Sequence, residues 1–225
     1  MNTKSSCSCC SDKNSGITDF IDHWNKTYDK NATEKLGWYE NKPEQSLQLI
    51  KKCELNKDAM ILNVGAGSTT LIDELLKQNY TNLIANDLSS NALEKLQERL
   101  GSDKNKVKWI IDDLTFPTEL TKLENGVSLW YDRAVLHFFN GKYEQDAYFG
   151  LLRKLVKKDG FAIIAVFNLN GATKCSGLPV FRYDENMLHL KLGKDFELIE
   201  TFNHTYTQPS GNTREFIYTL YKRIK

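Results

Sequence analysis

Apolar positions along the chain recur at two periods, and their alternation predicts the architecture. Runs at 59–64 (AMILNV), 82–86 (NLIAN), 106–111 (KVKWII), 127–131 (VSLWY) and 161–167 (FAIIAVF) are short and apolar, as strands buried on both faces are. Between them the spacing turns helical: Leu71, Ile72, Leu75 and Leu76; then Ala92, Leu93, Leu96 and Leu100, closed by Gly101; then 143–158, closed by Asp159-Gly160. Strand and helix in this rhythm predict right-handed crossovers and a doubly wound parallel α/β sheet. The C-terminus breaks the rhythm. Segments 196–206 and 214–223 both read as strands, with Pro209, Gly211 and Asn212 turning between them, so an antiparallel pair completes a seven-stranded, mostly parallel sheet. Upstream, Ile17, Phe20, Ile21, Trp24 and Tyr28 share one helical face, and Pro43 suits the first turn of a second helix carrying Leu47, Leu49, Ile50 and Cys53. The division expected is a flexible Cys/Ser-rich tail over 1–16 and a single domain over 17–225, of which 17–56 forms a helical cover.

Composition narrows the classes of partner. The chain has 225 residues and a net charge of +1, so it exerts no general pull on nucleic acid or an acidic membrane, and neither is expected as a partner. No apolar run is long enough to span a bilayer, and the polar N-terminus lacks a secretory core, which points to the cytoplasm. Of the five cysteines, Cys7, Cys9 and Cys10 crowd the tail, while Cys53 and Cys175 stand apart. An odd, scattered set is a poor disulfide framework, and no second ligand cluster closes a structural metal site. The tail reads as free thiols, with capture of a soft metal by the three clustered cysteines as the alternative.

The densest local signal is ILNVGAGSTT, which follows a strand and precedes a helix. Gly65 and Gly67 let the backbone turn tightly beside a ligand, and Asp87 ends the second strand 20 residues after Gly67 (87 − 67), where an acid accepts from ribose hydroxyls. The dinucleotide fingerprint needs a glycine at position 70, which is Thr70, and no G-K-[ST] follows for a P-loop. A nucleoside ligand without a pyrophosphate remains, a description that fits S-adenosylmethionine.

From Trp38 to Phe216 the chain resembles class I S-adenosylmethionine-dependent methyltransferases. Their pattern h-h-acid-h-G-x-G-x-G maps onto Ile61, Leu62, Asn63, Val64, Gly65, Ala66, Gly67, Ser68 and Thr69, with Asn63 in place of the usual acid and Thr69 in place of a common glycine. The resemblance implies a Rossmann-like sheet, S-adenosylmethionine as cofactor and S-adenosylhomocysteine as product. It implies a cofactor site made of Asn63, Gly65, Ala66 and Gly67, of Asp87 with Leu88, and of Asp113 with Leu114 in the DDLT segment. Asp113 is preferred to Asp112 as the adenine ligand. Tyr131 borders the site, and Tyr28 and Trp38 close over it.

The run LWYDRAVLHFF (129–139) ends the fourth strand at the carboxyl edge, where ligands bind such sheets. It resembles the D-R-A-x-x-H run of a bacterial methyltransferase group and, more loosely, the D-R segment of thiol-directed thiopurine-type enzymes. Asp132 is the first catalytic candidate, with His137 as a second base and Arg133 beside them. Against function stand an ion pair for Arg133 and an aromatic core position for His137. The loop 170–184 brings Lys174, Cys175, Arg182 and Tyr183 to the acceptor side. The expected acceptor is a small-molecule nucleophile, a thiol or other soft atom. The W-x-x-x-Y and W-Y-E segments resemble the opening of methyltransferases that modify protein lysines, which is the alternative. A non-catalytic nucleoside- or metal-binding module is the third reading.

Overall fold

In the computed structural model, which describes residues 12–225 and side chains from Asp19 onward, the five apolar runs form parallel strands: β1 (Ile61–Val64), β2 (Leu83–Asp87), β3 (Val107–Ile111), β4 (Val127–Arg133) and β5 (Val156–Phe167). A two-residue turn joins β6 (Lys174–Cys175) to β7 (Leu178–Pro179) in a separate small hairpin. The last strands, β8 (Phe196–Thr207) and β9 (Thr213–Arg223), pair antiparallel, and β9 also runs antiparallel to β5. The main sheet has seven strands in the order β3-β2-β1-β4-β5-β9-β8. Strand order therefore reverses direction between β1 and β4, the switch point at which doubly wound sheets open a crevice.

Period-two alternation sorts the strand side chains onto two faces. Leu62, Ile84, Trp130 and Ile164 pack with Tyr148 and Leu152 of α5 (Lys142–Leu155) and Leu188 of α6 (Glu185–Leu192). Ile61, Leu83, Leu129 and Ile163 pack with Leu49 of α2 (Glu44–Lys52), Ile72 of α3 (Leu71–Lys77) and Leu93 of α4 (Ser90–Leu100). Both faces are covered, which explains why the parallel strands read as unbroken apolar runs.

Two boundaries and one element depart from the sequence expectation. Helix α1 runs from Asp12 to Lys30, so it begins inside the stretch read as tail; residues 1–11, with Cys7, Cys9 and Cys10, lie outside the described residues. Helix α5 ends at Leu155, and residues 156–160 are already extended, with Asp159 at φ 63° bringing the chain into the body of β5. Helix α6 was not expected; Asp184 caps it by accepting from Met187 N at 2.8 Å, but only Leu188 and Leu192 are buried, too few to show a periodic face. Among the described residues, no helix is long and apolar enough to cross a membrane, and no cluster of three His, Cys, Asp or Glu is arranged to hold a metal.

The N-terminal elements lie across the sheet's carboxyl edge. Helix α1 docks on the start of α4: Ser89 Oγ donates to Asn25 Oδ1 at 2.6 Å, Asn91 Nδ2 to Asp29 Oδ1 at 2.8 Å, and Lys95 Nζ to Asn31 O at 2.9 Å. Tyr206 donates to Tyr39 O, and Gln208 Nε2 to Gly37 O at 2.7 Å, so the β8–β9 end grips the same segment.

Candidate active site

Parallel register brings the ends of the central strands level: Asn63 lies opposite Ala85 and Tyr131, and Val64 opposite Asp132. Beyond them opens a cavity of about 330 Å³ at the switch point, roofed by Phe20, Trp24, Tyr28 and Trp38. The roof is a connected set of edge-on rings, with Trp24 5.7 Å from Trp38 and 5.0 Å from Phe138, and Tyr28 6.0 Å from Trp38. Such pairs add specific geometry to their burial.

On the floor, Gly65 and Gly67 adopt φ of 55° and 54°, where a side chain is strained. Space forbids one as well: a Cβ at Gly65 would meet Val135 Cγ2 at 2.1 Å, and one at Gly67 would meet the Tyr28 hydroxyl at 2.3 Å. Gly65 and Asn63 line the cavity, but Ala66 and Gly67 do not. They build the turn instead: Ala66 N donates to Asn86 O at 2.8 Å and Gly67 N to Asp87 Oδ2 at 2.7 Å. Asp87 lines the cavity beside Leu88, and its other oxygen accepts from Ser89 N at 2.8 Å. Burial pushes its carboxyl up to about 6, against the opposing effect of those N–H donors.

The two acids after β3 divide their work. Asp112 accepts from Asp113 N, from Thr118 N and Oγ1, and from Leu120 N, so it organises the loop. Among the described residues Asp113 engages only Thr115, through Oδ1; both acids line the cavity, together with Leu114.

The D-R run comes apart on the strand's two faces. Tyr131 and Arg133 line the cavity, while Asp132 does not. Asp132 is fully buried on the α5 side, where Oδ1 accepts from Val135 N at 3.0 Å and Oδ2 from Leu136 N at 3.0 Å and the Tyr148 hydroxyl at 2.7 Å. That hydroxyl in turn accepts from Trp130 Nε1 at 3.0 Å. His137 is also fully buried away from the cavity, its ring 4.6 Å from Phe138 and 4.5 Å from Phe167. Burial, aided by Arg133, lowers its pKa to about 3, so it is neutral. Of the three catalytic candidates, Arg133 lines the cavity, whereas Asp132 and His137 do not. Strand alternation assigns Asp132 to the side of Trp130, and apolar packing assigns His137 to the aromatic core.

Arg133 is a clamp. Its Nε lies 3.1 Å from Glu40 and donates to the Tyr218 hydroxyl at 3.0 Å, and Nη1 donates to Trp38 O at 2.9 Å. The guanidinium sits 4.9 Å from both the Tyr206 and Phe216 ring centres. Glu40 was overlooked as a site residue although it completes the W-Y-E segment; it lines the cavity and anchors the cover to β4. Ser46, also missed, shares a 2.7 Å hydrogen bond with the Tyr131 hydroxyl.

Among the described residues, three buried polar atoms on cavity-lining residues have no partner: Asn63 Nδ2, Thr69 Oγ1 and Arg133 Nη2. Of the loop residues 170–184, Cys175 lines the cavity, and burial pushes its thiol up to about 11. Arg182 instead donates to Leu169 O and Gly171 O, and Tyr183 is buried in the α5-side core.

No protein-family model matches the chain. The mouse protein EEF1A lysine methyltransferase 2 is 23% identical over 204 residues, 85% of this chain and 79% of that protein. Among solved structures, a SAM-dependent methyltransferase from Anabaena variabilis is similar with a TM-score of 0.74 and 16% identity, over 92% of this chain and 95% of that one. The 1,6-didemethyltoxoflavin-N1-methyltransferase of Burkholderia thailandensis, solved with S-adenosylhomocysteine bound, gives a TM-score of 0.68 at 16% identity, over 99% of this chain and 94% of that one.

Proposed function

We propose that the chain, which has the fold of S-adenosylmethionine-dependent methyltransferases, carries out methyl transfer from S-adenosylmethionine to a small-molecule nucleophile, a thiol or other soft atom. The unpartnered atoms Asn63 Nδ2, Thr69 Oγ1 and Arg133 Nη2 carry this reading. A buried donor without an acceptor is costly, and three such atoms on residues that line one cavity support a polar ligand whose binding lets them pair. The α-carboxylate of S-adenosylmethionine supplies acceptors for Asn63 and Arg133, and the free lone pairs of Asp87 suit ribose hydroxyls. Asp113 would take the adenine amino group, with Leu88 and Leu114 against the apolar ring and Tyr28 and Trp38 above.

Bound S-adenosylmethionine supplies a methyl group on a sulfonium: the nucleophile forms the new bond to carbon, and the electron pair of the broken bond stays on sulfur. The chain's part is to align the acceptor and exclude water, which the aromatic roof is built to do. Asp132 and His137 are engaged in the core, while the carboxylates of Glu40, Asp87 and Asp113 line the cavity; a thiolate or other soft nucleophile reacts without calling on them. Protein lysine methylation is the second reading, favoured by the name of the mouse relative. A turnover screen for S-adenosylhomocysteine release against thiols, amines, metalloids and lysine-bearing proteins separates the two, and calorimetry with S-adenosylhomocysteine tests the cofactor. Absence of binding at millimolar ligand would overturn both.

A further inference from the structure

A second cavity, of about 390 Å³, lies beside the first between the cover, the β6–β7 hairpin and β9. The two share a wall, since Trp38 and Cys175 line both. The hairpin is tied to the cover by a 3.4 Å contact between Ser176 Oγ and His23 Nε2, so the shared wall is held from both sides. The chambers differ in chemistry. The first is aromatic where it meets the wall, with Trp24, Trp38 and Phe138 together. The second is lined by Lys35, Lys174 and Arg214 and, among the described residues, by no carboxylate. None of the three cations forms an ion pair among the described residues, in a chain whose other cations include eleven such pairs. Three cations from three separate segments, converging without acids on one concavity, attract an anion and repel an ammonium.

We infer that the second cavity docks an anionic group carried by the methyl acceptor, so that the site selects small acceptors with an apolar or aromatic body and a carboxylate or similar anion at one end. This rests on the methyltransferase reading, with the reacting atom on the Cys175 side of the first cavity. The body lies against Trp24, Trp38 and Phe138, and the anion sits among Lys35, Lys174 and Arg214. Cys175, a thiol held neutral by burial, is the smaller of the two residues that line both chambers. A lysine side chain presented by a protein meets the wrong charge in this cavity.

The test uses the full chain saturated with S-adenosylhomocysteine and three probes of one shape: 4-phenylbutyrate, 4-phenylbutyramide and 4-phenylbutylamine, titrated by calorimetry. The carboxylate is expected to bind about tenfold tighter than the amide, and the amine weakest. The double variant Lys174→Gln/Arg214→Gln should erase the carboxylate preference and leave S-adenosylhomocysteine affinity unchanged. The control Lys157→Gln/Lys158→Gln, which removes equal charge from exposed positions on β5, should keep the preference. Equal binding of acid and amide, tighter binding of the amine, a preference surviving in the Lys174/Arg214 variant, or a preference lost equally in the control would each overturn the inference. Failure of the parent reading looks different: S-adenosylhomocysteine itself would not bind.

Discussion

Replacing Asp132 by asparagine should cost stability rather than chemistry. The carboxylate receives three donors, the Val135 and Leu136 N–H groups and the Tyr148 hydroxyl, in a fully buried position. An amide keeps one acceptor oxygen and turns the other into a donor. If Nδ2 replaces Oδ1 it faces Val135 N–H; if it replaces Oδ2 it faces Leu136 N–H and a tyrosine hydroxyl already occupied by Trp130 Nε1. Either way at least one buried donor is orphaned, at about 1–3 kcal/mol. The buried carboxylate carries a desolvation penalty of its own, seen in a pKa pushed up to about 6, and the amide relieves part of it. The net loss expected is about 2 kcal/mol, which for a chain of this size lowers the Tm by roughly 4–8 °C. Scanning fluorimetry reads the Tm, and calorimetry with S-adenosylhomocysteine reads the site. Affinity and turnover per folded molecule should stay within about threefold of the parent, because the residue faces α5 and not the cavity. An unchanged Tm with turnover reduced a hundredfold would refute the placement and restore Asp132 as a base.

Three further residues carry expected outcomes. Asp87 should make cofactor affinity fall by about tenfold per pH unit below about 6, because the ribose hydroxyls need the ionised carboxylate, and Asp87→Asn should flatten that profile. Ligand-free stability runs the other way: an acid whose folded pKa is raised favours the folded state below about 4 and loses that contribution as pH rises through about 6, so thermal melts from pH 4 to 7 should show it, with the slope reduced in Asp87→Asn. Gly67→Ala should abolish S-adenosylhomocysteine binding by driving a methyl into the Tyr28 hydroxyl 2.3 Å away, and adding Tyr28→Phe should recover part of the affinity; a double variant no better than the single one would sink the steric account. His137→Leu removes two ring nitrogens that have no partner among the described residues, so Tm should hold or rise and turnover persist, whereas loss of turnover at unchanged Tm would mark a catalytic histidine.

The strands were legible because parallel strands covered on both faces must be apolar throughout, and the position of Asp87 beside Gly67 on the cavity was legible because strand length and crossover length together set their separation. The D-R run divides between two faces for a physical reason that its own letters contain. Positions 131 and 133 share one face of β4, and 130 and 132 the other, so a cavity lined by Tyr131 and Arg133 cannot also hold Asp132. Trp130 on that other face signals a packed core rather than a site. The β6–β7 turn also had a local signature, Ser176-Gly177, and both residues take positive φ (50° and 80°) as a tight hairpin requires. What no local pattern carried was the partner of Arg133, since Glu40 reaches it only once the cover folds across the sheet.

Ser89 joins the cover to the cofactor site. Its backbone N–H holds Asp87 Oδ1, its side chain accepts from Ala92 N to cap α4, and the same hydroxyl donates to Asn25 of α1. On the far side of the cavity Arg133 does the same work, tying Glu40 and Trp38 of the cover to Tyr218 of β9. Two of the roof's fastenings thus bear on the ligand cavity: Arg133 lines it, and Ser89 holds Asp87, which lines it. A ligand that satisfies Arg133 Nη2 and the free lone pairs of Asp87 adds bonds to both fastenings at once, and by linkage a cover held shut raises affinity for that ligand by the same factor. Ser89→Ala separates the contributions. It removes the α4 cap, at about 1 kcal/mol of stability, and it loosens α1 by one of its contacts with α4 while leaving the Ser89 N–H on Asp87 intact. S-adenosylhomocysteine affinity should then fall severalfold, with amide exchange in α1 rising in the ligand-free protein and returning toward the parent value when ligand is added. Affinity unchanged beside faster exchange in α1 would show that the roof and the ribose site act independently.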